Sequence, residues 1–272
     1  MDDYSVFGER ERKGWADDSV AENYVTRFGP ITDRIAEQLV SVVAPGPGRD
    51  ILDLCCGQGN LTARLTESGA KVEGLDFSPT MLEKAARAAP AASLRQGDAQ
   101  NLPYGEASFD AVTCNFGIPH VPDYNRVLSE VRRVLRPGGT FAFTCWAAPE
   151  ANPAFGTALR AIKTHADLSS APPQPDFFQF AHRETAETLL QAAGFRLAAH
   201  DILHFTWRLD APGDLFDIYA NATVAVSMLL KSQSAEIVDR IRGEMTAKVE
   251  ADFAADGGYV VPVPAAMIVA RP

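Results

Sequence analysis

Residues 50–61 read DILDLCCGQGNL, and they are the most informative segment for predicting the fold. Its first half is a short apolar run with one acid inside it, which is typical of a buried parallel strand. Gly57 and Gly59 then form a turn, and helical spacing begins at Leu61. Glycine lets the backbone approach a ligand closely, and the free N–H groups of a helix start favour an electron-rich partner. The stretch therefore predicts a strand–turn–helix unit that binds a small-molecule cofactor.

Three acids at successive strand ends indicate which cofactor binds. Asp53 lies in the first strand, Asp76 follows the second and Asp98 follows the third. Because ligands bind beyond the carboxyl ends of parallel strands, we expect them to meet an ammonium group, ribose hydroxyls and an adenine amino group, in that order. S-adenosylmethionine carries all three groups and no phosphate. Asp98 has an alternative role in closing an Asx turn, with the N–H of Ala99 still meeting the adenine ring.

The turn differs from a dinucleotide-binding turn at one position. The pattern G-x-G-x-x-G needs a third glycine, and Thr62 stands there instead. This argues against a nicotinamide oxidoreductase, which is the rival enzyme class.

A series of motifs, in this order, resembles the class I S-adenosylmethionine-dependent methyltransferases of the ubiquinone/menaquinone-methyltransferase-like group. The motifs are LDLCCGQG (52–59), GLDFSPTML (74–82), GDAQNLPY (97–104), SFDAV (108–112), NFG (115–117) and RVLRPGG (133–139). The resemblance implies an α/β fold with a seven-stranded Rossmann-like doubly wound sheet, mostly parallel with the last strand antiparallel. It also implies an N-terminal helical segment and a helical lid insertion.

The resemblance carries the cofactor site over to residues that match its motifs. These are Asp53, Cys55, Gly57, Gly59, Asp76, Phe77, Met81, Asp98, Ala99, Asn115 and Phe116. Cys55 departs from the family pattern, which usually has its first glycine there. Because a Cβ fits a negative φ best, we expect a negative φ at Cys55 and a slightly altered turn that keeps the site.

The chain divides into three predicted parts. Residues 1–48 form a helical cap, 49–146 form the cofactor-binding core, and 147–272 hold lid insertions and the last two strands. The lid insertions fall at about 147–182 and 212–254, and the alternation from 195 to 208 predicts one edge strand. Helices are expected over 213–230 and 235–253.

The chemistry of methyl transfer needs positioning above all, since it is an in-line displacement. Aromatic faces can hold a sulfonium cation, and Phe116, Tyr24 and Trp146 are the candidates. Tyr24, which resembles a cofactor-side tyrosine of the family, is alternatively a residue that only packs on the sheet. His120 is either a catalytic base or acceptor-orienting group, or it only shapes its own turn.

The acceptor is predicted to be a small apolar or aromatic metabolite. The region after residue 146 is rich in aromatic residues, and Trp146, Phe178 and Tyr219 are the candidate acceptor contacts. Quinone-ring C-methylation is the alternative within the class, and a non-catalytic S-adenosylmethionine-binding protein is the alternative outside enzymes. His200 and His204 share a strand face without a carboxylate partner, so no metal is expected.

Composition narrows the partners and the compartment. The formal net charge is −10 and no Lys/Arg-rich stripe offsets it, which argues against nucleic acid. No apolar run reaches membrane-spanning length, so no membrane partner is expected. The four cysteines lack zinc or disulfide spacing, which favours a reducing cytoplasm. A homodimer is compatible with the sequence.

Overall fold

The computed structural model describes residues 4–169 and 171–272. The helices are α1 (Ser5–Trp15), α2 (Asp18–Arg27), α3 (Gly29–Val43), α4 (Asn60–Glu67), α5 (Pro79–Ala88), α6 (Tyr124–Val134), α7 (Pro153–His165), α8 (Arg183–Ala192), α9 (Asp214–Ala222), α10 (Val224–Lys231) and α11 (Ala235–Asp252), with a 3-10 turn at Ile118–His120. The strands are β1 (Asp50–Leu54), β2 (Lys71–Asp76), β3 (Ser93–Gln96), β4 (Phe109–Asn115), β5 (Leu135–Trp146), β6 (Arg196–Leu203), β7 (Thr206–Leu209), β8 (Ala254–Ala255), β9 (Gly258–Pro262) and β10 (Ala265–Arg271).

The main sheet has seven strands in the order β3-β2-β1-β4-β5-β10-β6. All neighbouring pairs are parallel except those of β10, which runs antiparallel to both β5 and β6. Leu52 and Leu54 of the central strand are fully buried, because helices cover both faces of the sheet. The predicted fold class is therefore confirmed.

Two predicted elements were wrong in their extent. The stretch 195–208 forms two strands rather than one: β6 pairs with β10 at the edge of the main sheet, whereas β7 pairs with β9 in a separate three-stranded sheet. The alternation of apolar residues continues across the break, so periodicity does not reveal the change of partner. The predicted helix 213–230 is interrupted at Thr223, whose backbone is extended (φ −128°, ψ 142°).

The N-terminal helices pack across the carboxyl ends of the strands. The Asp17 side chain caps α2 by accepting hydrogen bonds from Ser19 N and Val20 N. Arg64 in α4 binds Asp33 in α3 through two hydrogen bonds of 2.9 and 2.7 Å. The Arg64–Asp33 contact holds α3 against α4, the helix that begins at the glycine turn after β1.

A second, aromatic core lies between these helices and the C-terminal half of the chain. The indole Nε1 of Trp207 donates to the Arg27 carbonyl oxygen (3.1 Å), which joins β7 to α2. Phe28 packs edge-on against Trp207, with ring centroids 5.0 Å apart. None of the helices in the described ranges 4–169 and 171–272 has the length and apolar character needed to cross a membrane.

Candidate functional site

A cavity of about 70 Å³, here called the polar cavity, opens at the carboxyl ends of β1, β2 and β4. Its lining comes from the turns after these strands and from α1, α2 and α3. The lining residues are Trp15, Tyr24, Thr32, Asp53, Cys55, Cys56, Gly57, Gln58, Asn60, Leu61, Asp76, Phe77, Met81, Asn115, Phe116, Gly117, His120 and Val121. Most of the predicted cofactor residues therefore meet in one place.

Asp53 is a buried carboxylate held by two threonine hydroxyls. Its Oδ2 accepts a hydrogen bond from Thr62 Oγ1 at 2.6 Å and its Oδ1 accepts one from Thr113 Oγ1 at 3.1 Å. Burial raises the pKa of Asp53 to about 7, although both hydroxyl contacts act in the opposite direction. Thr62, which replaces the third glycine of a dinucleotide turn, thus has a specific partner in the site.

Asp76 links the end of β2 to the glycine turn. Its Oδ2 accepts a hydrogen bond from Gly57 N and its Oδ1 accepts one from Ser78 N, both at 2.9 Å. Burial raises the pKa of this carboxyl, and the two backbone donors partly offset the rise. Each carboxylate oxygen has a further lone pair that can accept a hydrogen bond from a ligand.

The polar cavity fits S-adenosylmethionine by the chemistry of its donor set. Asp53 and Asp76 both face the cavity, and no lysine or arginine within residues 4–169 and 171–272 lines it. Both carboxylates already have hydrogen-bond donors within the chain, and their remaining lone pairs can accept from an ammonium or hydroxyl group of a ligand. A Cβ built at Gly57 would meet no atom within 4 Å, so the space over the turn is open for a ligand.

The prediction of a negative φ at Cys55 was wrong. Cys55 adopts φ 54°, in the small left-handed region that a non-glycine residue can enter at some cost. The neighbouring loop makes room for its side chain, because a Cβ at Gly117 would lie 2.3 Å from the Cys55 Cβ. The absence of a glycine at position 55, after β1, is therefore compensated by Gly117 after β4.

The loop after β4 is held by a chain of hydrogen bonds. Thr144 Oγ1 donates to Asn115 Oδ1 (2.7 Å) and accepts from the N–H of Phe116 (3.1 Å). Asn115 Nδ2 donates to the Thr32 carbonyl oxygen at 3.0 Å. Phe116, itself left-handed with φ 62°, stacks on Trp146 with ring centroids 4.1 Å apart. This loop thus holds Phe116 at the wall of the polar cavity.

Three predicted cofactor residues lie outside the polar cavity. Asp98 and Ala99 line a smaller adjoining cavity, and the Asp98 carboxylate accepts a hydrogen bond from Gln100 N (2.9 Å). This is the Asx arrangement that was the alternative for Asp98. A Cβ at Gly59 would lie 2.8 Å from the Ala85 Cα, so Gly59 allows α4 and α5 to approach closely.

A second cavity of about 140 Å³, here called the aromatic cavity, adjoins the first. It contains all three predicted acceptor contacts, Trp146, Phe178 and Tyr219, together with Phe28, Phe155 and Phe177. The Tyr219 hydroxyl is buried and has no hydrogen-bond partner within the described part of the chain. The two cavities share Trp15, Tyr24 and His120.

Tyr24 lies at this junction. Its ring stacks on Phe28 (5.2 Å, 15°) and meets Trp15 edge to face (5.0 Å, 89°). Burial and the nearby Asp76 charge raise the pKa of Tyr24, so its hydroxyl stays protonated at neutral pH. Tyr24 can therefore offer an aromatic face and a hydrogen-bond donor, but not a base.

His120 lies at the same junction and has a carboxylate partner. Its Nδ1 is 2.8 Å from Glu11 Oε2, which also accepts a hydrogen bond from Trp15 Nε1 at 3.0 Å. Neither Glu11 nor Trp15 was predicted from the sequence. Their spacing of four residues places them on one face of a helix, which was the available signal.

Residues 4–169 and 171–272 contain no cluster of three or more His, Cys, Asp and Glu side chains that could hold an ion. His200 Nε2 instead contacts the Phe180 carbonyl oxygen at 3.0 Å.

Comparison with known proteins places this geometry in a family. The methyltransferase domain model matches residues 52–143. Demethylmenaquinone methyltransferase of Corynebacterium kroppenstedtii is 36% identical over 164 residues, which cover 56% of this chain and 70% of the relative. The same enzyme of Lysinibacillus sphaericus is 38% identical over 132 residues, or 45% of this chain and 56% of the relative.

The chain spans only about half the length of several methyltransferases that it matches, with 56%, 48% and 43% of their lengths covered. Among solved structures, a proposed methyltransferase of Bacillus halodurans superposes with a TM-score of 0.58 at 22% identity, covering 87% of this chain and 97% of the other. That similarity shows the fold. By its sequence relatives, this chain belongs to the class I S-adenosylmethionine-dependent methyltransferases of the menaquinone-methyltransferase-like type.

Proposed function

We propose that this chain transfers a methyl group from S-adenosylmethionine to a small aromatic or apolar acceptor. The observation that carries the proposal is the junction of the two cavities at Trp15, Tyr24 and His120. A methyl donor in the polar cavity and an acceptor in the aromatic cavity would meet there. Holding two reactants at roughly 3–3.5 Å supplies much of the acceleration of such a displacement.

The residues of the polar cavity bind and orient the donor in this proposal. The donor supplies an electrophilic methyl group on a sulfonium when bound. Asp76 accepts hydrogen bonds from the ribose hydroxyls, and Asp53 pairs with the ammonium group. Phe116 and Tyr24 offer aromatic faces that attract a sulfonium cation. Because Asp98 is occupied by Gln100, the backbone of Ala99 is the proposed adenine contact.

The aromatic cavity selects the acceptor. Phe155, Phe177, Phe178 and Tyr219 lie outside residues 52–143, the segment that matches the family model. Quinone-ring C-methylation is the second candidate, because the named activity of several relatives is that of demethylmenaquinone methyltransferase. An acceptor pocket built outside the matched segment favours the broader class of aromatic acceptors.

Two further readings have less support. A nicotinamide oxidoreductase would need a glycine where Thr62 binds Asp53. A non-catalytic binding protein would not need an apolar cavity beside the donor site. We also propose a small-molecule acceptor rather than nucleic acid, on the net charge of −10. A homodimer and a cytoplasmic location stay predictions.

Calorimetric titration with S-adenosylhomocysteine, beside the same titration with NADH, tests the proposal. We expect micromolar binding of S-adenosylhomocysteine and no binding of NADH. An absence of S-adenosylhomocysteine binding would overturn the donor assignment and with it the proposed reaction.

A further inference from the structure

The contact between Glu11 and His120 joins residues 109 positions apart in the sequence. Glu11 is only 3% exposed, which is unusual for a glutamate. Its Oε2 accepts a hydrogen bond from Trp15 Nε1 (3.0 Å) and lies 2.8 Å from His120 Nδ1. A buried carboxylate in such contacts is held in one orientation.

This contact sets which ring nitrogen of His120 is available. A carboxylate beside Nδ1 favours the tautomer that carries its proton on Nδ1, which leaves the Nε2 lone pair on the opposite ring edge. Within residues 4–169 and 171–272, no hydrogen bond is formed to His120 Nε2. The ring itself is held edge-on by Trp15 (5.4 Å) and Phe177 (5.5 Å).

The His120 ring lies where the proposed methyl transfer would take place. His120 lines both cavities, at the junction where the methyl group and the acceptor nucleophile would meet. A base at that point is useful only for a nucleophile that must lose a proton. The surrounding rings, Phe155, Phe177 and Phe178, suit a planar apolar molecule.

We infer that the acceptor is an aromatic ring bearing a hydroxyl group, and that His120 removes the hydroxyl proton while Glu11 acts as a positioning residue. The inference rests on the proposed function. The acceptor O–H proton passes to His120 Nε2, and the Glu11 carboxylate stabilises the resulting imidazolium. The acceptor, now a phenolate, attacks the methyl carbon as the carbon–sulfur bond breaks, and S-adenosylhomocysteine leaves. The imidazolium then loses its proton to water.

Other ionisable groups also surround His120 and act on its charge. They come from α1, α2, β1, β2 and the turns after β1 and β3, and those that line a cavity with His120 are Glu11, Arg12, Tyr24, Asp53, Cys55, Cys56, Asp76 and Asp98. Only Glu11 among them bonds to the ring within the described residues. A substitution at Glu11 therefore removes the one direct contact to the His120 ring and leaves the other ionisable groups in place.

The test uses 4-nitrophenol as a probe, because its absorbance distinguishes phenol from phenolate. The full chain is saturated with S-adenosylhomocysteine, and the phenolate-to-phenol ratio of the bound probe is followed with pH. Glu11→Gln keeps the shape but removes the charge, and we expect it to lower this ratio about 10-fold or more at a given pH. Glu11→Asp should restore part of the lost phenolate-to-phenol ratio. His120→Gln should lower the ratio as far as Glu11→Gln does. The double variant Glu11→Gln/His120→Gln should lower the ratio no further than His120→Gln alone.

The matched control is Glu244→Gln. Glu244 Oε2 lies 2.8 Å from His165 Nε2, the same separation as in the Glu11 pair, but outside both cavities. We expect this variant to leave the probe ratio unchanged. A merely structural role of Glu11 would alter stability or S-adenosylhomocysteine affinity without moving the ratio.

Three results would overturn the inference. The probe ratio could be unchanged in both Glu11→Gln and His120→Gln while probe and S-adenosylhomocysteine still bind. The probe could fail to bind the saturated wild-type chain. Both results leave the proposed function standing. A wild-type chain that does not bind S-adenosylhomocysteine would instead overturn the proposed function as well.

Discussion

The two cavities are built in different ways. The polar cavity depends on backbone: Gly57 N and Ser78 N hold Asp76, and two non-glycine residues, Cys55 and Phe116, are left-handed at its wall. The aromatic cavity depends on side chains from separate parts of the chain, including α1, β5, α7 and α9. A backbone-built site tolerates little change, whereas a side-chain-built site can be remodelled for a new acceptor.

The largest effect is expected at Asp76, the centre of the polar cavity. Asp76→Ala removes the charged acceptor that we propose for the ribose hydroxyls and leaves Gly57 N and Ser78 N without their partner. We expect a loss of roughly 1.5–3 kcal/mol in binding free energy, or about 10- to 150-fold in S-adenosylhomocysteine affinity. Calorimetry measures it directly.

Asp98→Ala is the control for that experiment. Asp98 also follows a strand end, but it is exposed and bonds to Gln100. We expect a smaller loss than at Asp76. Equal affinities of Asp76→Ala and wild type would show that the donor does not contact the polar cavity as assigned.

The second effect tests the backbone contribution to the polar cavity. Gly117→Ala would place a Cβ 2.3 Å from the Cys55 Cβ and 2.9 Å from the Cys114 Sγ. Such overpacking costs about 1–3 kcal/mol in the free energy of unfolding, which urea denaturation measures.

The double variant Cys55→Gly/Gly117→Ala sharpens this test. Removing the Cys55 side chain relieves the closer clash and the left-handed strain, so the double variant should recover most of the lost stability. The loss of stability that remains comes from the contact between the added Cβ at position 117 and the Cys114 Sγ. If the change in the free energy of unfolding of the double variant equals the sum of the changes in the two single variants, Cys55 and Gly117 do not compensate each other.

The third effect is a pH dependence at Asp53. Its raised pKa of about 7 means that the carboxyl is largely ionised at pH 8 and largely neutral at pH 6. Only the ionised form attracts an ammonium group, so S-adenosylmethionine affinity should fall about 10-fold as the pH falls from 8 to 6. Asp53→Asn should bind weakly with no such pH dependence. A wild-type S-adenosylmethionine affinity that does not change between pH 6 and pH 8 would show that Asp53 does not contact the ammonium group.

The contrast between the cavities also explains what the sequence could predict. Most of the polar cavity lies on short contiguous motifs at strand ends, so Asp53 and Asp76 could be named from local pattern, and the resemblance of those motifs to the family added Phe116. The conformation of Cys55 could not, because it depends on Gly117, which lies in a loop on the neighbouring strand. A local rule about Cβ sterics gave the wrong sign of φ for that reason.

The aromatic cavity was predicted by residue type but not by arrangement. Trp146, Phe178 and Tyr219 stood out as aromatic residues after the core, yet nothing local relates them to Glu11 or Trp15. The Glu11–His120 contact spans 109 residues, and only the packing of α1 over the strand ends creates it. Likewise, alternation in 195–208 could not show that β6 and β7 enter different sheets. Local periodicity reports which face is buried but not against what.

The smallest effect is expected at Tyr219, in the aromatic cavity. Its hydroxyl is buried without a partner among residues 4–169 and 171–272, and burial raises the pKa of the phenol, so the group stays neutral. A buried unsatisfied polar group is destabilising, and Tyr219→Phe should therefore raise the free energy of unfolding slightly, by about 0.5–1 kcal/mol. Urea denaturation measures the gain, and S-adenosylhomocysteine affinity should not change. A loss of stability would show that water satisfies the hydroxyl in solution.

A gain would mean that the folded chain keeps this hydroxyl at a cost in stability, which is understandable if an oxygen of the acceptor is its partner. The same variant should then bind 4-nitrophenol more weakly than wild type does, so one side chain would separate acceptor binding from donor binding.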